Sequence, residues 1–309
     1  MTRRSRFRAQ AWAAVAVAAG LVLSLAGCDR PALRAVEGQR EWDPAVLSQV
    51  MGQLGDQAAA CVGAPSAAAP YRVEGLTLVA EGVPVWLEAL GLPASSGEAD
   101  TATVPDAVCQ PDVLTAALDR TRQLLDWAGE TGNYDRWTWG AVNRGLDMAW
   151  LLATSQPVEL AGLAGPGGLA EAPGVEGLDD LGTEVLWDLA LAEDQAGFVA
   201  EYLAVGVVDD DELRSLVRQV AQFHRERAAA LVVASLNQGG GDPRQGAYVL
   251  PDTPADAAAV RLAIRELETA LATHYGAVPY PSDVDQVLYW QLRWAHAWGE
   301  PIPALPSWW

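Results

Sequence analysis

Two neighbouring stretches decide the fold: TEVLWDLALAEDQAGFVAEYLAV (183–205) and DDDELRSLVRQVAQFHRERAAALVVASLN (209–237). Both are too long for strands and read as helices from end to end. Asp209, Asp210, Asp211 and Glu212 suit the positive N-terminal end of the second one. Two long helices with only a short turn between them, and no strand, point to an all-α protein.

Working outward, the same signals recur. Asp43-Pro44 opens a helix to about Ala60, with Val46, Leu47, Val50 and Leu54 at helical spacing. Pro111 opens another to Trp127, with Leu114, Leu118, Leu124 and Leu125 on one face. A third runs from Tyr134 to Ala153 through Val142 and Leu146. Beyond residue 237, GGGDPRQGAYVLPDTP is a break, followed by a helix over 255–275. The last helix starts at Ser282, with Asp285 at capping-box spacing, and ends near Gly299, where PIPALP cannot continue it.

The total is about seven helices in an antiparallel array or bundle. The exception is 62–108. There Tyr71-Arg-Val73-Glu alternates, Leu76-Thr-Leu78-Val79 is β-prone, and Gly75 and Gly82 punctuate, which predicts a small irregular or β-hairpin insert. Residues 155–182 are rich in Gly and Pro. They divide the helical body, 43–309, into halves 43–154 and 183–309.

Charge and composition narrow the function. The 309 residues carry 20 Lys+Arg, all of them Arg, against 40 Asp+Glu, for a net charge of −20. That balance excludes a nucleic-acid partner, which requires clustered cations. Half the residues are apolar and 13 are Trp, enough to build a core.

The first 27 residues read as an export address. Arg3, Arg4, Arg6 and Arg8 precede an apolar run, Ala11–Leu25, that is short for a membrane span. Leu25-Ala26-Gly27-Cys28 closes it and resembles the lipobox of bacterial lipoproteins. That resemblance implies cleavage before Cys28 and acylation of its thiol. The membrane would then be a partner through the acyl chains, with 28–42 as a tether and an extracytoplasmic, lipid-anchored location. Asp29 resembles the residue that keeps enteric lipoproteins on the periplasmic face of the inner membrane. Loss of the address leaves a body at −24, repelled by anionic headgroups, so the lipid supplies the attachment. With Cys28 acylated, Cys61 and Cys109 remain, and an oxidising envelope predicts that they form a disulfide.

Candidates for chemistry are few. Glu130 and Asp135 could form an acid/base pair beside Trp137 and Trp139 as sugar platforms, with Arg144 as a further ligand. Their ordinary role is a solvated helix start with an indole in the core. Trp290, Trp294 and Trp298 lie at i, i+4 and i+8, one stripe of a helix, which is core packing or a ligand platform. His224, His274 and His296 are scattered and lack the HExxH pairing, and each reads as surface or satisfied packing. The chain contains no GxSxG, P-loop or GxGxxG after a strand, so the sequence calls for no cofactor or metal. Arg261–Glu268 and Asp285–Trp290 resemble the C-terminal helices of queuosine-salvage nucleotide hydrolases. The catalytic carboxylate motif of that family has no counterpart, so the resemblance implies no residue roles. The reading is a cell-envelope lipoprotein whose body binds a ligand or an envelope partner, protein or glycan. The alternative is an envelope glycan hydrolase.

Overall fold

A computed structural model describes residues 43–63, 71–93, 109–155, 174–175, 178–280 and 284–304. Among them are eight α-helices and no strand. Helix α1 spans Pro44–Gly63, α2 Val73–Ala89, α3 Pro111–Glu130 and α4 Arg136–Thr154. After a short 3-10 turn at Leu178–Asp180 come α5, Thr183–Gly206, and α6, Asp211–Asn237. Helices α7, Ala257–Gly276, and α8, Val284–Ala297, complete the set. The described residues from Pro44 onward belong to one compact unit.

Local chemistry sets the helix ends. Asp135, Asp210 and Asp256 each turn a carboxylate onto the first free backbone N–H groups of α4, α6 and α7. Pro111 fills the first turn of α3, where its missing N–H is no loss. Helix α8 stops where Gly299 takes a positive φ of 101°. The expected cap at Ser282 lies outside the described residues.

Within 62–108, where an irregular or β-hairpin insert is expected, the described residues 71–93 form α2, so the described residues hold eight helices where about seven are expected. The short alternations around Val73 and Leu78 belong to a longer period. Leu76, Val79, Val83, Trp86 and Leu87 fall on one helical stripe and are all buried. Gly75 and Gly82 are close-packing positions, not breaks. A Cβ on Gly75 would stand 2.1 Å from the backbone nitrogen of Ala153 in α4. That neighbour is main chain and cannot move aside. Gly75→Ala is therefore expected to force the helices apart and cost about 1–3 kcal/mol or more, read as a lower midpoint in urea. Gly63→Ala, with nothing within 4 Å of its Cβ, is the matched control.

The first four helices lie antiparallel in pairs. Ser48 near the start of α1 donates to Pro93 O just past the end of α2, at 2.7 Å. Cys61, near the end of α1, is disulfide-bonded to Cys109, just before α3, with Cα atoms 5.5 Å apart. Both cysteines are buried with Leu76, Leu114 and Ala153, so the bridge ties α1, α2, α3 and α4 at one corner. Helix α4 runs antiparallel to α2, with Gly75 against Ala153 at one end and Trp86 against Gly145 at the other.

A shared core continues across the chain. Met148 and Leu152 of α4 pack with Leu186 and Leu189 of α5, Leu231 of α6, Tyr275 of α7 and Leu288 of α8. A neighbouring cluster fills the space among α5, α6, α7 and α8 with Leu203, Val217, Ile264 and Trp294. The 238–256 connection runs back along α5. Gly241 packs on Trp187, Tyr248 donates to Asp194 at 2.6 Å, and Pro254 sits against Gly206. Beyond α8, Ile302 packs on the shared core, and Ala304 O accepts from Trp86 Nε1 at 2.7 Å.

Candidate functional site

Asp135 is the N-cap of α4, accepting from the Trp137 and Thr138 backbone N–H groups at 3.1 and 2.9 Å. Its other oxygen accepts from Thr138 Oγ1 at 2.6 Å. The hydroxyl and the backbone N–H of Thr138 hold this carboxyl below its ordinary range, which suits a cap and not a general acid. Glu130 is exposed at the end of α3. One turn earlier, burial and the nearby charges of Asp147 and Glu130 push the Asp126 carboxyl up.

Of the aromatic candidates, Trp137 is 52% exposed at the start of α4. Trp139 is committed to packing: its Nε1 donates to Leu125 O at 2.7 Å, and its ring meets Tyr280 edge-on. Arg144 is buried in a clamp. Its Nε donates to Asp285 at 2.7 Å, and its Nη groups donate to Gly276 O and Val278 O at 2.9 and 2.7 Å. It fastens α4 to the turn between α7 and α8. Trp290 and Trp294 stack with ring centroids 4.8 Å apart beside Phe223, while Trp298 is buried in the same cluster. The Nε1 atoms of Trp294 and Trp298 are buried without a hydrogen-bond partner, so this stripe works through apolar area. Cys28 and Asp29 lie outside the described residues.

The concentration of charge lies elsewhere. His224 of α6, Glu193 of α5 and Glu268 of α7 have no exposed surface. His224 Nδ1 faces Glu193 Oε2 at 2.6 Å and its Nε2 faces Glu268 Oε1 at 3.2 Å. Burial opposes a charged imidazole, but the Glu268 and Glu193 carboxylates override it and raise the His224 pKa to about 9. An imidazolium donating from both nitrogens follows. Burial likewise opposes ionised Glu193, yet His224 and Arg227 pull its pKa below the ordinary value.

Arg227 reaches Glu193 Oε1 at 3.4 Å, and the Tyr275 hydroxyl donates to the same oxygen. Gln291 of α8 donates to Glu268. The Arg227 guanidinium also lies over the rings of Phe223 and Trp290, 4.4 and 5.2 Å from their centroids. Two carboxylates thus balance two cations across three helices, with Gln291 of α8 as a neutral partner.

Among the described residues no group of His, Cys, Asp and Glu could hold a metal ion. The geometry explains this at the cluster: the imidazole stands between the carboxylates where an ion would need their oxygens together. A buried, charge-balanced cluster can fix helix register, but it offers no free base to a substrate.

Sequence reading passed over Glu193 and Glu268, although a signal was present. Each sits in register within an apolar stripe, Glu193 after Leu186, Leu189 and Ala190, and Glu268 between Ile264 and Leu271. A carboxylate on the core face of a helix requires a buried partner. No family model, curated protein or solved structure matches the chain.

Proposed function

We propose that this chain is a lipid-anchored protein of the extracytoplasmic cell envelope, held at a bacterial membrane by acylated Cys28, and that its helical body is a binding module for an envelope protein. The observation that carries the binding reading is where charge and apolar surface lie. The ionic cluster is sealed and its charges are paired with one another, whereas large apolar side chains face solvent along α5 and the segment beside it. Trp187 is 44% exposed, Val205 73%, Val208 74% and Val249 89%. Exposed apolar side chains mark an interaction site where they are contiguous, which is what crosslinking from two of these positions tests. The Cys61–Cys109 bridge supports an oxidising compartment. Among the described residues no helix is long and apolar enough to cross a membrane.

Two measurements test this. Cys28→Ser is expected to move the protein from the membrane fraction to the soluble one; unchanged membrane association would refute the anchor. Photo-crosslinkers at Trp187 and Val249 are expected to capture the same discrete protein, and one at exposed Gln222 is not. Adducts that are absent or identical at all three positions defeat the binding reading.

A further inference from the structure

Helix α5 is apolar on two faces, and the core accounts for only one of them. At about 100° per residue, Trp187, Leu191, Asp194, Phe198, Tyr202 and Val205 fall within one stripe roughly 80° wide. Leu186, Leu189, Ala200 and Leu203, which enter the core, lie on the opposite side. The second stripe is covered by the connection 241–254, laid along it in the same direction as the helix. Gly241 packs on Trp187 and Pro254 sits against Gly206. Between them Tyr248 donates to Asp194 at 2.6 Å with its ring 5.5 Å from Phe198, and the Thr253 and Tyr202 hydroxyls bond at 2.8 Å. The cover is thin. Within 242–254 only Pro243 is buried, and both side-chain hydrogen bonds to α5 depend on a phenol. Leu191, Phe198 and Tyr202 are half-buried, and Trp187 and Val205 remain exposed at the two ends.

We infer that this stripe of α5 is a docking groove for an extended, basic protein segment, and that 241–254 is a strap that occupies it until the partner displaces it. The inference rests on the binding reading proposed above and gives the partner its chemistry. Charge decides that chemistry. Glu184, Asp188, Asp194 and Glu201 border or interrupt the stripe, with Arg225 on Glu201 and His274 on Asp188 as their neighbours. The strap offsets them poorly. Its Arg244 is bonded to its own Asp242, and Tyr248 offers Asp194 only a neutral donor. An arginine in that place would make a charge-assisted bond, roughly twice as strong as a neutral one. A segment with so few buried contacts opens locally far more readily than the helices around it. Because it is joined to α6 and α7 at its two ends, a lifted strap keeps Val249 beside the groove.

Two fluorescein-labelled peptides supply the test, one with the sequence of 241–254 and one carrying Tyr248→Arg. The receptor is the full chain in detergent, both as the parent and as Tyr248→Ala/Thr253→Ala, which removes the two phenol bonds of the strap. The Tyr248→Arg peptide is expected to bind the released variant at least about ten-fold more tightly than the parent, whose groove is available only in its open fraction. On the released variant it should also outbind the unsubstituted peptide several-fold. Adding Asp194→Asn is expected to abolish that preference for arginine. No binding to the released variant, equal binding to variant and parent, or a preference that survives Asp194→Asn overturns the inference. The binding reading fails separately, when crosslinkers at Trp187 and Val249 capture no protein in cells while the peptide still binds the purified variant.

Discussion

Replacing His224 with leucine is expected to destabilise the protein by about 3–5 kcal/mol, the usual effect of removing one partner from a buried ionic set. The side chain itself is not the reason. Glu193 and Glu268 would be left facing each other in a core with no exposed surface, with only Arg227 to balance them. In a chain of this size the loss appears as a fall in Tm of roughly 10 °C. Turning all six polar members apolar together, Glu193, His224, Arg227, Glu268, Tyr275 and Gln291, is expected to recover most of it, since no buried group then lacks a partner. Equal stability of His224→Leu and the parent protein would show the cluster to be energetically idle.

The same cluster gives a pH dependence of defined sign. His224 is raised from its ordinary 6.5 to about 9, so the folded state holds its proton more tightly than the unfolded one. Its contribution is complete below about pH 6.5 and drains away as pH rises through about 9. Glu193 is shifted down, so its contribution is present above its ordinary 4.5 and is lost as pH falls through its folded value. The urea midpoint is expected to decline from pH 6.5 to 9 in the parent protein. In His224→Leu that decline should be flatter.

The second large effect is expected from the disulfide. Cys61 and Cys109 are 48 residues apart in sequence, and closing such a loop stabilises a fold by about 4 kcal/mol through the entropy it removes from the unfolded chain. A Cys61→Ala/Cys109→Ala variant should lose about that much, together with some packing at the corner where four helices meet. Reductant is expected to bring the parent protein down towards the variant and to leave the variant unchanged. A reductant-insensitive parent would contradict the argument.

Helix content was legible wherever an apolar stripe ran long enough to exclude a strand, as in 183–205 and 209–237. The bridge followed from counting thiols once Cys28 was set aside. Helix α2 was missed because its glycines and its short alternation, taken locally, mimic a hairpin. Only the partner helix α4 explains why Gly75 must lack a side chain. The ionic cluster was hidden for a related reason. Its members come from four separated helices, and no local spacing connects residue 193 with 224, 268 and 291. By contrast Asp135, which stood out beside so many aromatic residues, turned out to serve its own helix.

Trp86 and Ala304 are bonded across 218 positions of sequence. Every residue up to 304 must be synthesised, and in an exported chain must clear the translocation channel, before that indole N–H can find its acceptor. A fully buried tryptophan thus waits for a late arrival. A chain stalled short of that point lacks the acceptor for the donor inside its α2–α4 contact.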